Sequence, residues 1–163
     1  MKTVRVGVAG AGFITEIHLR WLRRIAPRAE VVAIAGAGER CRQVAARFGI
    51  PHALPGGFQR LLEMPEIDVV DVCVPNHLHE EVAVAAAQAG KHLIVEKPLT
   101  GYFGAPDDPD PVGRTVPRAR MLVGALASAR RILEAARQAG VHVMYSEDFV
   151  YAPPVAKRKA LLA

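Results

Sequence analysis

The sequence predicts a doubly wound α/β domain with a parallel sheet, and three observations carry that prediction. Short β-branched runs alternate with amphipathic helical patterns along the chain. Each run is nearly continuous in apolar residues, as expected for a strand covered on both faces. Three helical patterns end in a glycine just ahead of the next run: Gly49 before IPHA, Gly90 before KHLIVE and Gly140 before VHVMY. A left-handed residue there turns the chain from helix into strand, and right-handed crossovers then order the sheet.

The elements follow in order. VRVGVA over 4–9 is the first strand, and Ile14, Ile17, Trp21, Leu22 and Ile25 share a helix face after it that is expected to pack on the sheet. VVAIA over 31–35 is the second strand, and the third begins after Gly49. IDVVDVCV over 67–74 is the fourth and HLIVE over 92–96 the fifth. Met121, Leu122, Ala125, Leu126, Ile132, Leu133 and Ala136 mark a later sheet-packing helix, which leads into the sixth strand, VHVMY over 141–145. TGYFGAPDDPDPVGRTVP over 100–117 breaks the pattern. Its four prolines and three glycines admit neither a helix nor a ladder through it, so it reads as a long loop. Asp107, Asp108 and Asp110 read as a solvated acidic turn, because the prolines break any calcium-loop spacing.

Composition bounds the function. The 163 residues have the length of one domain; 51% are hydrophobic and 23% charged, which fits a folded globule. No run reaches the roughly 18 apolar residues of a membrane span, and MKTVRVGVAG has no signal-peptide pattern, so the expected location is cytoplasmic. Cys41 and Cys73 form no C-x-x-C pair, and neither a disulfide nor a metal site is expected. The net charge of +5 rests on arginines such as Arg20, Arg23, Arg24, Arg118, Arg120, Arg130, Arg131 and Arg137. They sit on polar helix faces without interleaved aromatics and so do not predict nucleic-acid binding.

VGVAGAGFITEIH over 6–18 has the context of a dinucleotide fingerprint, with a strand before it and a helix after. Gly10 permits the tight turn, and Gly12 lets backbone approach a pyrophosphate on the helix N-terminus. Thr15 stands where a third glycine normally allows close helix–strand packing. A plain strand-to-helix turn is the alternative reading. The acid that would hold the adenosine ribose is replaced by Gly36, with Glu39, Arg40 and Arg42 nearby, which leaves NAD and NADP both open. CVPNHLHEEV over 73–82 and VEKPLT over 95–100 follow strands, where open α/β sheets place their ligands. His77 and His79 are badly spaced for a metal. His18 reads as a hydrogen-bonded core histidine or a group facing the cleft, and Cys73 as a small core hydrophobe.

Taken together, GAGFIT, PNHLH and EKP, in that order, resemble the Gfo/Idh/MocA family of NAD(P)-dependent oxidoreductases, over residues 4 to about 151 apart from the loop. The resemblance implies a Rossmann fold and NAD or NADP as cofactor. It places Gly10, Gly12, Phe13, Ile14, Pro75, Asn76, His79 and Glu96 along the cofactor, with Gly36 at the ribose, Glu96 beside the nicotinamide ribose, and Lys97 as the catalytic residue against the reacting hydroxyl of a sugar or polyol. Pro98 biases Lys97 toward extended backbone, and a surface ion pair is the plainer reading of Glu96 and Lys97. It also implies a second α+β domain. Residues 1–150 are therefore expected to form the nucleotide-binding domain and 151–163 a truncated start of the next, with little activity unless a partner or a homo-oligomer supplies the rest. A non-catalytic NAD(P)-binding or sensing module and an S-adenosylmethionine-dependent methyltransferase are the rival readings.

Overall fold

A computed structural model describes residues 2–147 and 152–162. The strands are β1 (Val4–Ala9), β2 (Ala29–Gly36), β3 (His52–Pro55), β4 (Val69–Val72), β5 (His92–Glu96) and β6 (Val143–Ser146). All pair in parallel in the order β3-β2-β1-β4-β5-β6. This is the doubly wound order, which reverses direction between β1 and β4 and opens a crevice at their carboxyl ends. The helices are α1 (Phe13–Arg24), α2 (Gly38–Phe48), α3 (Gln59–Leu62), α4 (His79–Gln88), α5 (Val112–Thr115), α6 (Arg118–Ala139) and α7 (Pro153–Leu162). Gly49, Gly90 and Gly140 all adopt positive φ, as the punctuation predicts.

Both faces of the sheet are covered. Val6, Val8 and Ile34 pack with Leu19 of α1 and Cys41, Val44 and Ala45 of α2. Val70, Val72, Leu93 and Val95 pack with Val82, Ala83, Ala86 and Ala87 of α4 and Ile132 of α6. Leu93 is fully enclosed, and truncating such a leucine to alanine costs about 2–5 kcal/mol.

Three details depart from the sequence reading. The α1 face that meets the sheet is Thr15 and Leu19, while Trp21 and Ile25 are 60% and 49% exposed. Small Thr15 lets the helix start close to the strands; the bulky residues fall outside that contact and line a groove beside β5 and β6. On α6 the buried line is Ser128, Ile132, Ala135 and Ala136, with Leu122, Leu126 and Leu133 exposed, because α4 offers a bed of alanines that small residues approach best. The 100–117 loop holds one helical turn, α5, and its acids are not uniformly solvated. Asp108 is enclosed, accepting bonds from the Tyr102 hydroxyl and the Ala105 N–H (2.8 Å) and pairing with Arg120 at 2.8 Å. Tyr102 in turn lies over Gly124 of α6, where an added Cβ would come within 2.3 Å of its ring. Among the described residues no helix is long and apolar enough to cross a membrane.

Candidate cofactor-binding site

The turn from β1 into α1 is held from both sides. The Gly10 N–H donates to Ala35 O (2.7 Å) and the Cys73 N–H to Ala9 O (2.8 Å), so the turn sits between the ends of β2 and β4. Gly10 has φ +121°, and a Cβ on it would lie 2.3 Å from the Cys73 carbonyl oxygen. This glycine is required by the fold itself. Gly12 differs: it is the N-cap of α1, has no side-chain cap, and a Cβ on it would meet nothing within 4 Å. The helix start is therefore open at Gly12, and N–H groups at the positive end of a helix dipole suit a pyrophosphate there. Phe13 is 78% exposed and Ile14 half-buried beside the same opening. Thr15 is fully buried, where the fingerprint has its packing glycine.

The end of β2 presses on this turn. A Cβ at Gly36 would lie 3.0 Å from Ala11 Cβ and 3.3 Å from Ala11 N, so the absent ribose acid has a steric reason as well as a chemical one. Arg40, in the first turn of α2, donates from Nε to Ala11 O (2.7 Å) and pairs with Glu16 at 3.4 Å, which brings a guanidinium to the glycine turn. Arg42 instead pairs with Glu39 at 3.3 Å.

The opposite wall comes from β4 and β5. Pro75 and Asn76 are exposed just past β4, and Lys97 is exposed just past β5, where the Lys97–Pro98 bond is cis. His79 does not line this opening. It is fully buried, with Nδ1 2.9 Å from Pro98 O and Nε2 3.0 Å from Val74 O. The ring thus joins the PNHLH and EKP segments and exposes no surface to this opening.

Glu96 is 6% exposed and forms no surface pair with Lys97; its partner is His18. His18 Nδ1 lies 2.9 Å from Asp71 Oδ2, and His18 Nε2 lies 3.6 Å from Glu96 Oε1. Burial acts to lower the His18 pKa, but the hydrogen bond and charge of Asp71, with help from Glu96, outweigh it and raise the value above the ordinary 6.5. Burial, reinforced by Asp71 and Glu96, pushes the Cys73 thiol far up and keeps it protonated. His18, Asp71 and Cys73 are the one trio of metal-capable groups among the described residues, within 4.8 Å of one another. The His18–Asp71 hydrogen bond already occupies the atoms that an ion would need. Asp71 escaped the sequence reading, which named His18, Cys73 and Glu96 but not their meeting; an acid inside an otherwise apolar strand was the signal available.

Comparison with known proteins agrees with this geometry. Residues 4–107 match the family model described as an oxidoreductase family with an NAD-binding Rossmann fold. The chain belongs to the Gfo/Idh/MocA oxidoreductase family. Within that family it is 38% identical over 108 residues to levoglucosan dehydrogenase of Pseudarthrobacter phenanthrenivorans, covering 61% of this chain and 27% of that protein. It is 42% identical over 101 residues to inositol 2-dehydrogenase 1 of Saccharopolyspora erythraea, covering 60% and 29%. Among solved structures, a 3-ketoreductase from Actinomadura kijaniata in complex with NADP superposes with a TM-score of 0.77 at 30% identity, covering 99% of this chain and 44% of that one. GenD2 from gentamicin A biosynthesis, in complex with NAD, gives 0.79 at 25% identity, covering 100% and 40%. The chain spans about 30% of the length of the curated relatives it matches. Membership in this family sets the methyltransferase reading aside, and the domain is an NAD(P)-binding Rossmann domain.

Proposed function

We propose that this chain is the cofactor-binding part of a cytoplasmic dehydrogenase that moves a hydride between a sugar or polyol carbon and NAD or NADP. The observation that carries the reading is the open Gly12 turn at the carboxyl end of β1, beside the switch point of the sheet, where an added Cβ would meet nothing within 4 Å. The nicotinamide supplies the hydride chemistry when bound. The residues of this chain do the rest. Gly10 shapes the turn, the Gly12–Ile14 backbone holds the pyrophosphate, Pro75 and Asn76 flank the cofactor, Glu96 accepts from the nicotinamide ribose, and Lys97 orients the reacting hydroxyl. Levoglucosan and inositol dehydrogenases among the relatives support a sugar or polyol as the substrate class.

In this reading residues 1–150 form the cofactor domain and 151–163 lead toward a substrate-binding lobe. A nucleic acid or a membrane has no part in it. The chain alone binds dinucleotide and turns over little, because a positioned general base and a dry pocket, the former worth about 10²–10⁴ in rate, come with that lobe. Isothermal titration of the purified chain with NADH, NADPH and S-adenosylmethionine, followed by a polyol-dependent absorbance assay for NAD(P)H, tests it. The reading requires saturable binding of a nicotinamide dinucleotide and none of S-adenosylmethionine, with any turnover lost in Lys97→Ala. Strong turnover that survives Lys97→Ala would overturn the assigned chemistry.

A further inference from the structure

Beneath the proposed nicotinamide site the structure buries a set of polar groups that cofactor cradling does not require. His18 of α1, Asp71 of β4 and Glu96 of β5 converge where neighbouring positions are apolar, with Asp71 1% and Glu96 6% exposed. An acid in the middle of a central strand is disfavoured there, and burying its charge carries a desolvation cost that the partner's attraction only offsets. Such a pair is weak evidence for stability and points instead to work done by the group it holds.

The geometry fixes what that work is. Asp71 takes His18 Nδ1, with its two oxygens at 2.9 and 3.1 Å, so the ring is oriented and Nε2 is the nitrogen left to face outward. Nε2 points at Glu96 Oε1 from 3.6 Å, a distance that a small approach or one bridging water closes. Glu96 directly precedes Lys97 and lines a groove with Ile14, the residue beside the cofactor turn. We propose that His18, held by Asp71, is a positioning residue for Glu96, presenting an Nε2–H that keeps the Glu96 carboxylate aimed at the cofactor ribose.

The proposal rests on the cofactor reading above. It has a chemical consequence that packing alone would not produce. A neutral ring bonded to Asp71 through Nδ1–H carries a lone pair at Nε2, which would then face the Glu96 oxygen and repel it. Dinucleotide affinity should therefore follow the charge on His18. The charged or titratable groups around the ring are Asp71 from β4 and Cys73 just past it, Glu96 from β5, Tyr145 in β6 and Glu147 just beyond it, and Arg24 farther along α1. Two carboxylates touch the ring, and their attraction outweighs burial, so its proton is retained above the ordinary histidine range.

The test is NADH and NADPH titration from pH 6 to 9 on wild type, His18→Gln, Asp71→Asn, Glu96→Gln and the His18→Gln/Glu96→Gln double variant. Histidine Cε1 resonances of the wild type are followed by NMR over the same range. Wild-type affinity should fall about tenfold across the NMR-observed titration of His18, the size of one charge-assisted hydrogen bond. His18→Gln should flatten that profile, and the double variant should bind no worse than Glu96→Gln alone. Circular dichroism checks that each variant folds. If His18→Gln does not fold, the wild-type comparison of NMR titration with affinity decides alone. A pH-independent wild-type affinity, an unaltered profile in folded His18→Gln, or additive losses in the double variant overturn the inference while the cofactor reading stands. Absence of dinucleotide binding by the wild type at every pH overturns both.

Discussion

The two glycines of the first turn should fail in opposite ways when replaced by alanine. At Gly10 an L-residue is forced to φ +121°, and its Cβ would sit 2.3 Å from Cys73 O and 2.6 Å from Cys73 C. The neighbouring backbone cannot easily retreat, since the Cys73 N–H is bonded to Ala9 O and the Gly10 N–H to Ala35 O. Backbone strain of about 1–3 kcal/mol and overpacking of a further 1–3 kcal/mol put the loss for Gly10→Ala at about 2–6 kcal/mol. With a urea slope of about 1–3 kcal/mol/M, the midpoint should move by roughly 2 M. Gly12 has φ −84°, and its added Cβ meets nothing. Gly12→Ala should therefore lose no more than about 1 kcal/mol, the ordinary cost of alanine at an N-cap. Its methyl group projects into the cradle, however, and dinucleotide affinity should drop at least about tenfold, a loss of roughly 1.4 kcal/mol; Gly12→Val should abolish binding. Urea denaturation followed by circular dichroism, paired with NADH titration, reads both effects. Wild-type affinity in Gly12→Ala, or a Gly10→Ala midpoint within experimental error of wild type, would refute the division between a glycine for the fold and a glycine for the ligand.

Further outcomes follow from other positions. Gly36→Asp should cost about 1 kcal/mol, since Ala11 must give by a few tenths of an ångström, and it should shift preference toward NADH; an unchanged NADH to NADPH affinity ratio would mean that the ribose pocket lies elsewhere. His79→Ala should lose about 3 kcal/mol by opening a cavity and removing the ring N–H from between the Val74 and Pro98 carbonyls, with a thermal melt as the check. The Asp68 carboxyl is held down to about 2, first by the Arg5 backbone N–H and then by its guanidinium and Lys2. That contribution, about 2 kcal/mol, is complete above the ordinary carboxylate value and is lost as pH falls through about 2. Asp68→Asn should therefore flatten the acid limb of stability against pH, and an unchanged limb would show that this contact contributes little.

Local grammar made much of this architecture readable from sequence. The strand runs and the glycine helix ends depend on residues a few places apart, and the order GAGFIT, PNHLH, EKP set the family. Features that depend on contact across the fold were not readable. Trp21 and Ile25 drew the apolar periodicity of α1 toward the groove, whereas the sheet is met by Thr15 and Leu19. His79 belongs to a ligand-side motif, and its role as a staple appears only once the carbonyls of Val74 and Pro98 close on its ring. Asp71 lies 53 residues from His18, and only the parallel pairing of β4 with β5 brings Glu96 beside them. Asp108 looked like one of three solvated acids until Tyr102 and Arg120 enclosed it.

The central claim is that a nicotinamide dinucleotide lies across the switch point, with its pyrophosphate on the Gly12 cradle and its nicotinamide end beside Glu96 and Lys97. Titrating the ¹⁵N-labelled chain with NADH and NADPH while following backbone amide resonances tests this most directly. The account predicts that the largest, saturable shifts fall on Gly10 to Ile14, on Gly36, on Asn76, and on Glu96 and Lys97. Shifts confined to the groove lined by Thr3, Leu22, Phe48 and Ile50 at the other end of the sheet, or none with either dinucleotide, would contradict it.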